Sequence, residues 1–316
     1  MHIDPPLVKT LDSWPSLKKH LRMNEEWLQS FESSDLQTLG DYASTGRIVH
    51  TSILTGHEEV VSHPSRSAFL SGALETTSIA KVMHGCRLAP ADTARDQFAL
   101  GVLYRELSFL QTVLVESEFP ARFGRKLCGM SVGFAGWLGL AAAVGDLVVL
   151  ERWASLAVDV MRRGYLRDAD SRGLLQWILR LWCDVRRIDY PGTNYPRYAV
   201  AEEILQNWDT QDSETLGKWL VQLCNQHTRL TGVQEFADFS NSFSHFPVEV
   251  LMLFRLREQA GLVNPQVNHP LMKFPWSRLW PIGPAVPDEL LSGLYHRLES
   301  DEGLTVRGLY RQLSTS

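Results

Sequence analysis

Leu174-Leu175-Gln176-Trp177-Ile178-Leu179-Arg180-Leu181-Trp182-Cys183-Asp184-Val185-Arg186-Arg187-Ile188 decides the fold class of this chain. Leu174, Ile178, Leu181, Val185 and Ile188 recur every three or four positions, the spacing of one face of an α-helix. Arg180, Asp184 and Arg187 fall elsewhere on the same cylinder. The period continues in both directions. Phe98, Val102, Leu103, Leu110 and Leu114 mark a long helix from near Asp92, and Leu17, Leu21, Leu28 and Phe31 mark another behind Ser16, a suitable N-cap. Asp212-Ser213 offers a second N-cap, ahead of Leu216, Leu220, Leu223, His227 and Leu230. Pro247 suits the first turn of a helix carrying Val250, Leu251 and Phe254, with Gly261 as its C-terminal stop. Asp288 opens a last helix through Leu291, Leu294, Tyr295 and Leu298.

Only residues 47–54 alternate as a strand does, and residues 58–62 are their expected partner in a small hairpin. The expected fold is therefore all-α: an irregular multi-helix bundle or an α-hairpin array, with at most a small β-hairpin near 47–62. The expected division is an N-terminal helix and hairpin in 1–62 and one compact helical domain in 63–316. Trp137, Trp177 and Trp219, each followed by apolar residues, recur at intervals of 40 and 42 residues. That interval suits two helices per repeat, and the repeated Trp and Leu suit core packing.

At 316 residues the chain can bury a large core without a disulfide or metal staple. Its composition is 44% hydrophobic and 21% charged, which excludes a disordered polymer. A net charge of −5 disfavours a nucleic-acid-binding protein or a polybasic membrane-surface protein. Cys86, Cys128, Cys183 and Cys224 form no paired Cys-x-x-Cys motif and sit among apolar residues, so buried thiols in a reducing compartment are expected. The first residues hold no basic stretch followed by an apolar run, so no signal peptide and a cytoplasmic location are expected.

Residues 127–145 carry no formal charge and approach the length of a membrane span. Their Gly and Ala content favours a buried helix of a water-soluble fold, in which Gly129, Gly133, Gly136 and Gly139 let neighbouring helices approach closely.

The catalytic motifs are weak. Gly129-Met130-Ser131-Val132-Gly133 matches the nucleophile elbow of α/β-hydrolases, but that elbow needs a buried strand before it. Arg122, Arg125 and Lys126 occupy that place, so a Ser131 hydrolase is an alternative only. Ser78-Ile79-Ala80-Lys81 has the Ser-x-x-Lys spacing without its partner motifs, and reads as an exposed Ser and Lys on a helix. His57-Glu58, His63 and His50 lack the spacing of a zinc helix, and Pro247 places His245 ahead of the helix that carries Glu249. No catalytic residue, metal site or cofactor is expected.

Charge is distributed unevenly. Residues 121–187 hold eleven bases against six acids, whereas residues 198–254 hold eight acids against two bases. An acidic surface can dock a basic partner, raising the association rate and excluding wrong partners. Trp208, Trp219, Phe236, Phe239 and Phe243 lie in or near this acidic stretch as candidate anchors.

The stretch Phe243-Ser-His-Phe-Pro-Val-Glu249-Val-Leu-Met-Leu-Phe-Arg255-Leu-Arg-Glu-Gln-Ala-Gly261, followed by Asn268-His269-Pro270-Leu271-Met272, resembles the end of a helical bacterial immunity protein. It is similar to the PoNe-immunity type found beside type VI secretion effectors and other polymorphic toxins. Arg95-Asp96 ahead of a long amphipathic helix is similar to the N-terminal part of that group. The resemblance implies a non-enzymatic protein that binds a cognate toxin, often a nuclease, and keeps it from killing its producer. With the acidic stretch, it implies contact through Glu202, Glu203, Asp209, Asp212 and Glu214, with Asp238 as a second contact. Glu249 is expected inside the bundle, paired with an Arg. A helical-repeat scaffold for another partner is a further alternative, and the aromatic content is compatible with a homodimer.

Overall fold

The computed structural model describes residues 14, 16–51, 56–88, 91–118, 133–163, 173–192, 199–230, 243–303 and 305–315. Among them the chain forms eleven α-helices and one two-stranded sheet, the expected all-α class with a small hairpin. The helices are α1 (Leu17–Thr45), α2 (Ala68–Gly85), α3 (Ala91–Glu118), α4 (Phe134–Val144), α5 (Leu147–Arg162) and α6 (Leu174–Arg186). They continue with α7 (Ala199–Gln206), α8 (Ser213–Leu230), α9 (Val248–Gln259), α10 (Glu289–Glu302) and α11 (Val306–Thr315). Strands β1 (Val49–Thr51) and β2 (Glu58–Val60) pair antiparallel, with Val49 opposite Val60 and Thr51 opposite Glu58.

The chain divides into two compact units. One holds Met1–Leu21 and Met130–Pro284; the other holds Arg22–Gly129 and Ala285–Ser316.

In the first unit α4 is the centre, buried along its whole length. Its glycines permit this. A Cβ on Gly139 would stand 2.5 Å from the Val248 carbonyl oxygen at the start of α9, and one on Gly136 would stand 2.5 Å from the Phe243 ring. Helix α4 ends at Gly145, whose φ of +82° suits a residue without a Cβ. Its last carbonyls are met by a buried cation: Arg255 donates from Nε to Ala142 O at 2.8 Å and from Nη2 to Ala143 O at 3.3 Å. A cation at a helix C-terminus also opposes the negative end of the helix dipole. Among the described residues no helix is long and apolar enough to cross a membrane; residues 127–132 of the uncharged stretch lie outside them.

In the second unit α2 and α3 form the tightest pair, meeting where Gly85 faces Phe98 and Gly101 faces Ser78 and Val82. Ser67 caps α2 by accepting the Leu70 N–H at 3.2 Å. Asp288 caps α10 by accepting the Leu291 N–H at 2.9 Å, and also accepts from Tyr104 Oη at 2.8 Å and Lys81 Nζ at 3.0 Å. Burial would raise its pKa, but these three donors outweigh it and hold the carboxyl below its usual range.

Several local expectations hold. Ser16 Oγ accepts the Lys19 N–H, and Gly261 ends α9 with φ of +74°. Others need correction. Pro247 is the N-cap of α9, one residue before the first helical position. Ser78 is buried, not exposed, and its hydroxyl donates to Glu75 O at 2.6 Å; Lys81 is held by Asp288. Trp137 and Trp177 are core residues, whereas Trp219 is only half-buried. Cys86, Cys183 and Cys224 are free, buried thiols, and burial pushes the Cys183 pKa up to about 11. Cys128 lies outside the described residues.

Candidate functional site

Five of the six expected contact residues fall on one edge of the first unit, formed by α7, the turn after it and the start of α8. Helix α7 puts Val200, Ala201, Ile204 and Leu205 inside and leaves Glu202 half-buried and Glu203 exposed. Asp209, Asp212 and Glu214 are exposed in the turn and first turn of α8. Asp238 lies outside the described residues, as do Phe236, Phe239 and Ser131.

These carboxylates are not equivalent. Glu202 is paired within the unit: Arg180 of α6 donates to its Oε2 at 3.0 Å, and Gln206 donates to its Oε1 at 3.2 Å. The Arg180 hydrogen bond is the chief reason that its pKa lies below the usual carboxylate range. Asp212 is the N-cap of α8. Its Oδ1 accepts the N–H groups of Glu214 and Thr215, each at 3.1 Å, and its Oδ2 accepts the Thr215 hydroxyl at 2.6 Å. The Thr215 hydroxyl does most to hold the Asp212 carboxyl down. Glu214 reaches Lys218 one turn later at 2.7 Å, across a side chain that is 81% exposed. An ion pair so exposed contributes little. Among the described residues Glu203 and Asp209 make no side-chain ion pair, and their charge is the most available to another molecule.

The edge is held from inside by a residue that the sequence reading did not single out. Arg257 of α9 is 1% exposed. Its Nη2 donates to Thr210 O at 3.0 Å and Val263 O at 2.7 Å, and its Nη1 donates to Trp208 O. A planar guanidinium suits three carbonyls arranged around one point. Burial lowers its pKa, and the nearby Asp209 charge opposes that shift. The sequence did carry a signal: Arg257 follows Leu256 near the end of a helix whose middle, Val250 to Phe254, is apolar, and a cation there needs acceptors. Of the aromatic anchors, Trp208 and Trp219 are half-buried near this edge, whereas Phe243 packs edge-on against Trp137 in the core at 5.2 Å.

Glu249 is inside the bundle as expected, but its partner is a histidine rather than an Arg. His227 Nδ1 lies 2.9 Å from Glu249 Oε1, with both side chains 0% exposed. The Arg residues of α9 are directed to backbone carbonyls instead. His245 is likewise buried, 2.9 Å from the Ser244 hydroxyl through Nδ1. His50 pairs with Glu59 in the hairpin and packs against Phe69. Among the described residues no three His, Cys, Asp or Glu side chains are grouped to hold a metal ion.

No family model, curated protein or solved structure matches this chain.

Proposed function

We propose that this protein is an immunity protein that binds and neutralises a cognate secreted toxin, with a nuclease as the toxin class its charge fits best. The acidic edge of α7 and α8 enters the basic groove through which such a toxin holds its phosphate-bearing substrate. It acts in the cytoplasm of the cell that makes it, by occupying a surface rather than by turning over a substrate.

One observation carries this reading. Glu203, Asp209, Asp212 and Glu214 are presented together at the surface within twelve residues of chain, on a turn tied down by the buried Arg257. Charges on a frame already ordered lose little conformational freedom when a partner binds. Complementary charge also steers the encounter. The resemblance of residues 243–272 to immunity proteins supports the same reading, and Asp238 remains a proposed second contact.

The test is co-purification with the toxin encoded beside it, together with an assay of the toxin's activity. A nanomolar-range complex in which the toxin is silent is the expected result. If no complex forms, the reading fails.

A further inference from the structure

The second unit contains a cavity of about 310 Å³ between α1, α2 and α3. That lies at the lower end of the volumes that hold small ligands. Its apolar lining comes from Leu28 and Leu36 of α1 and from Ala80 and Met83 of α2. Lys81 and Arg87 are its charged residues, with the His84 imidazole between them at intervals of three along α2 and its C-terminal end, and among the described residues no carboxylate lines the cavity. Gln97 of α3 adds a neutral amide.

These polar groups have donor capacity left over. His84 and Gln97 have no side-chain partner among the described residues. Arg87 meets Glu25 only through Nη2, at 3.5 Å, with both side chains more than a third exposed. A guanidinium carries five N–H donors, so most of this one is unengaged. Lys81 gives one of its three donors to Asp288. Apolar side chains together with unused N–H donors in one cavity match a ligand with an acidic head and a short apolar body.

We propose that this cavity binds a small amphiphilic anion, its acidic head on Arg87 and His84 and its apolar body against Leu28, Leu36 and Met83. Arg87 supplies the planar pair of N–H groups that a carboxylate or phosphate accepts. The site is separate from the acidic edge of the first unit, and the proposal stands whether or not the immunity reading does.

Sodium octanoate, octyl phosphate and octan-1-ol are titrated into the full chain carrying ¹³C-methyl methionine, with the Met83 methyl signal followed by NMR. A saturable Met83 shift with either anion is expected, with octan-1-ol binding about tenfold more weakly, the loss expected for a missing charge-assisted hydrogen bond. Arg87→Gln, on a partly exposed side chain, should weaken the anion by a similar factor while leaving circular dichroism and melting unchanged. Which anion binds more tightly identifies the preferred head. No saturable shift at millimolar anion, equal binding of octan-1-ol, or undiminished anion binding by a folded Arg87→Gln variant overturns the proposal.

Discussion

His227 and Glu249 meet within hydrogen-bond distance in a place that water does not reach. His227 Nε2 lies 3.1 Å from the Phe243 carbonyl oxygen, which only accepts, so Nε2 carries a hydrogen. Its Nδ1 lies 2.9 Å from Glu249 Oε1. The pair joins the last turn of α8 to the first turn of α9. Glu249→Ala should cost about 3–5 kcal/mol, the usual loss when one partner of a buried pair is removed. Glu249→Gln should cost only about 1 kcal/mol, because its amide can still donate to Nδ1. Urea unfolding of both variants checks this; equal losses would show that the pair contributes through shape alone.

Arg257 should govern the order of the acidic turn. Arg257→Lys keeps the charge but lacks the planar fork that reaches Trp208, Thr210 and Val263 together. Faster amide hydrogen exchange in residues 207–212 is expected, with a stability loss of about 2–3 kcal/mol. Unchanged exchange there would show that the turn holds itself.

Reversing the two most available charges separates docking from folding. Glu203→Lys with Asp209→Lys should change unfolding free energy by about 0.5 kcal/mol or less, as is usual for surface sites. The same pair of changes should slow association with a basic toxin and flatten its dependence on salt. An unchanged rate would remove the acidic edge from the proposed interface. Glu202 and Asp212 serve this test poorly, because Arg180 and the start of α8 depend on them.

Stability should fall on mild acidification because two buried imidazoles resist protonation. His269 caps the short 3-10 turn Pro270–Lys273 by accepting the Leu271 N–H at Nδ1, 3.1 Å away. Burial first, then His227 and Lys273, lower its pKa from 6.5 to about 4. Burial and then His245 do the same for His20. Below about 6.5 the unfolded chain takes up protons that the folded chain refuses until about pH 4, so this stability is full above 6.5 and is lost across that window. The expected loss between neutrality and about pH 5 is about 2 kcal/mol per imidazole. His269→Asn retains an oxygen for the Leu271 N–H but does not titrate, so its pH profile should be shallower. A profile parallel to that of the parent protein would show that His269 does not contribute.

Two glycines should respond oppositely to the same substitution. Gly139→Ala places a Cβ 2.5 Å from the Val248 carbonyl oxygen and should destabilise by about 1–3 kcal/mol through overpacking. Gly72→Ala, in the exposed interior of α2 with nothing within 4 Å, should stabilise by about 0.5–1 kcal/mol. Thermal melting of both variants checks the contrast; a tolerated Gly139→Ala would mean that α4 and α9 can separate without loss.

The helices were legible because local order is recorded locally. The run from Leu174 to Ile188 states its own period, and Ser16, Asp212 and Asp288 announce helix starts through side chains that cap donors two or three residues away. The acidic edge was legible as charge in a row. Its individual assignments were not, because the Arg180 that pairs with Glu202 comes from another helix.

Sequence alone determined that this chain is all-α, where helices such as α1, α8 and α10 begin, and that carboxylates gather between Glu202 and Glu214. Tertiary structure alone decided which partners the buried polar groups meet: Arg257 among backbone carbonyls, and His227 against Glu249. The physical reason is the distance along the chain over which each effect is settled. Helical period and capping depend on neighbours within a few residues. A buried charge is tolerable only beside partners that folding brings together, and those of Arg257 range from Trp208 to Val263.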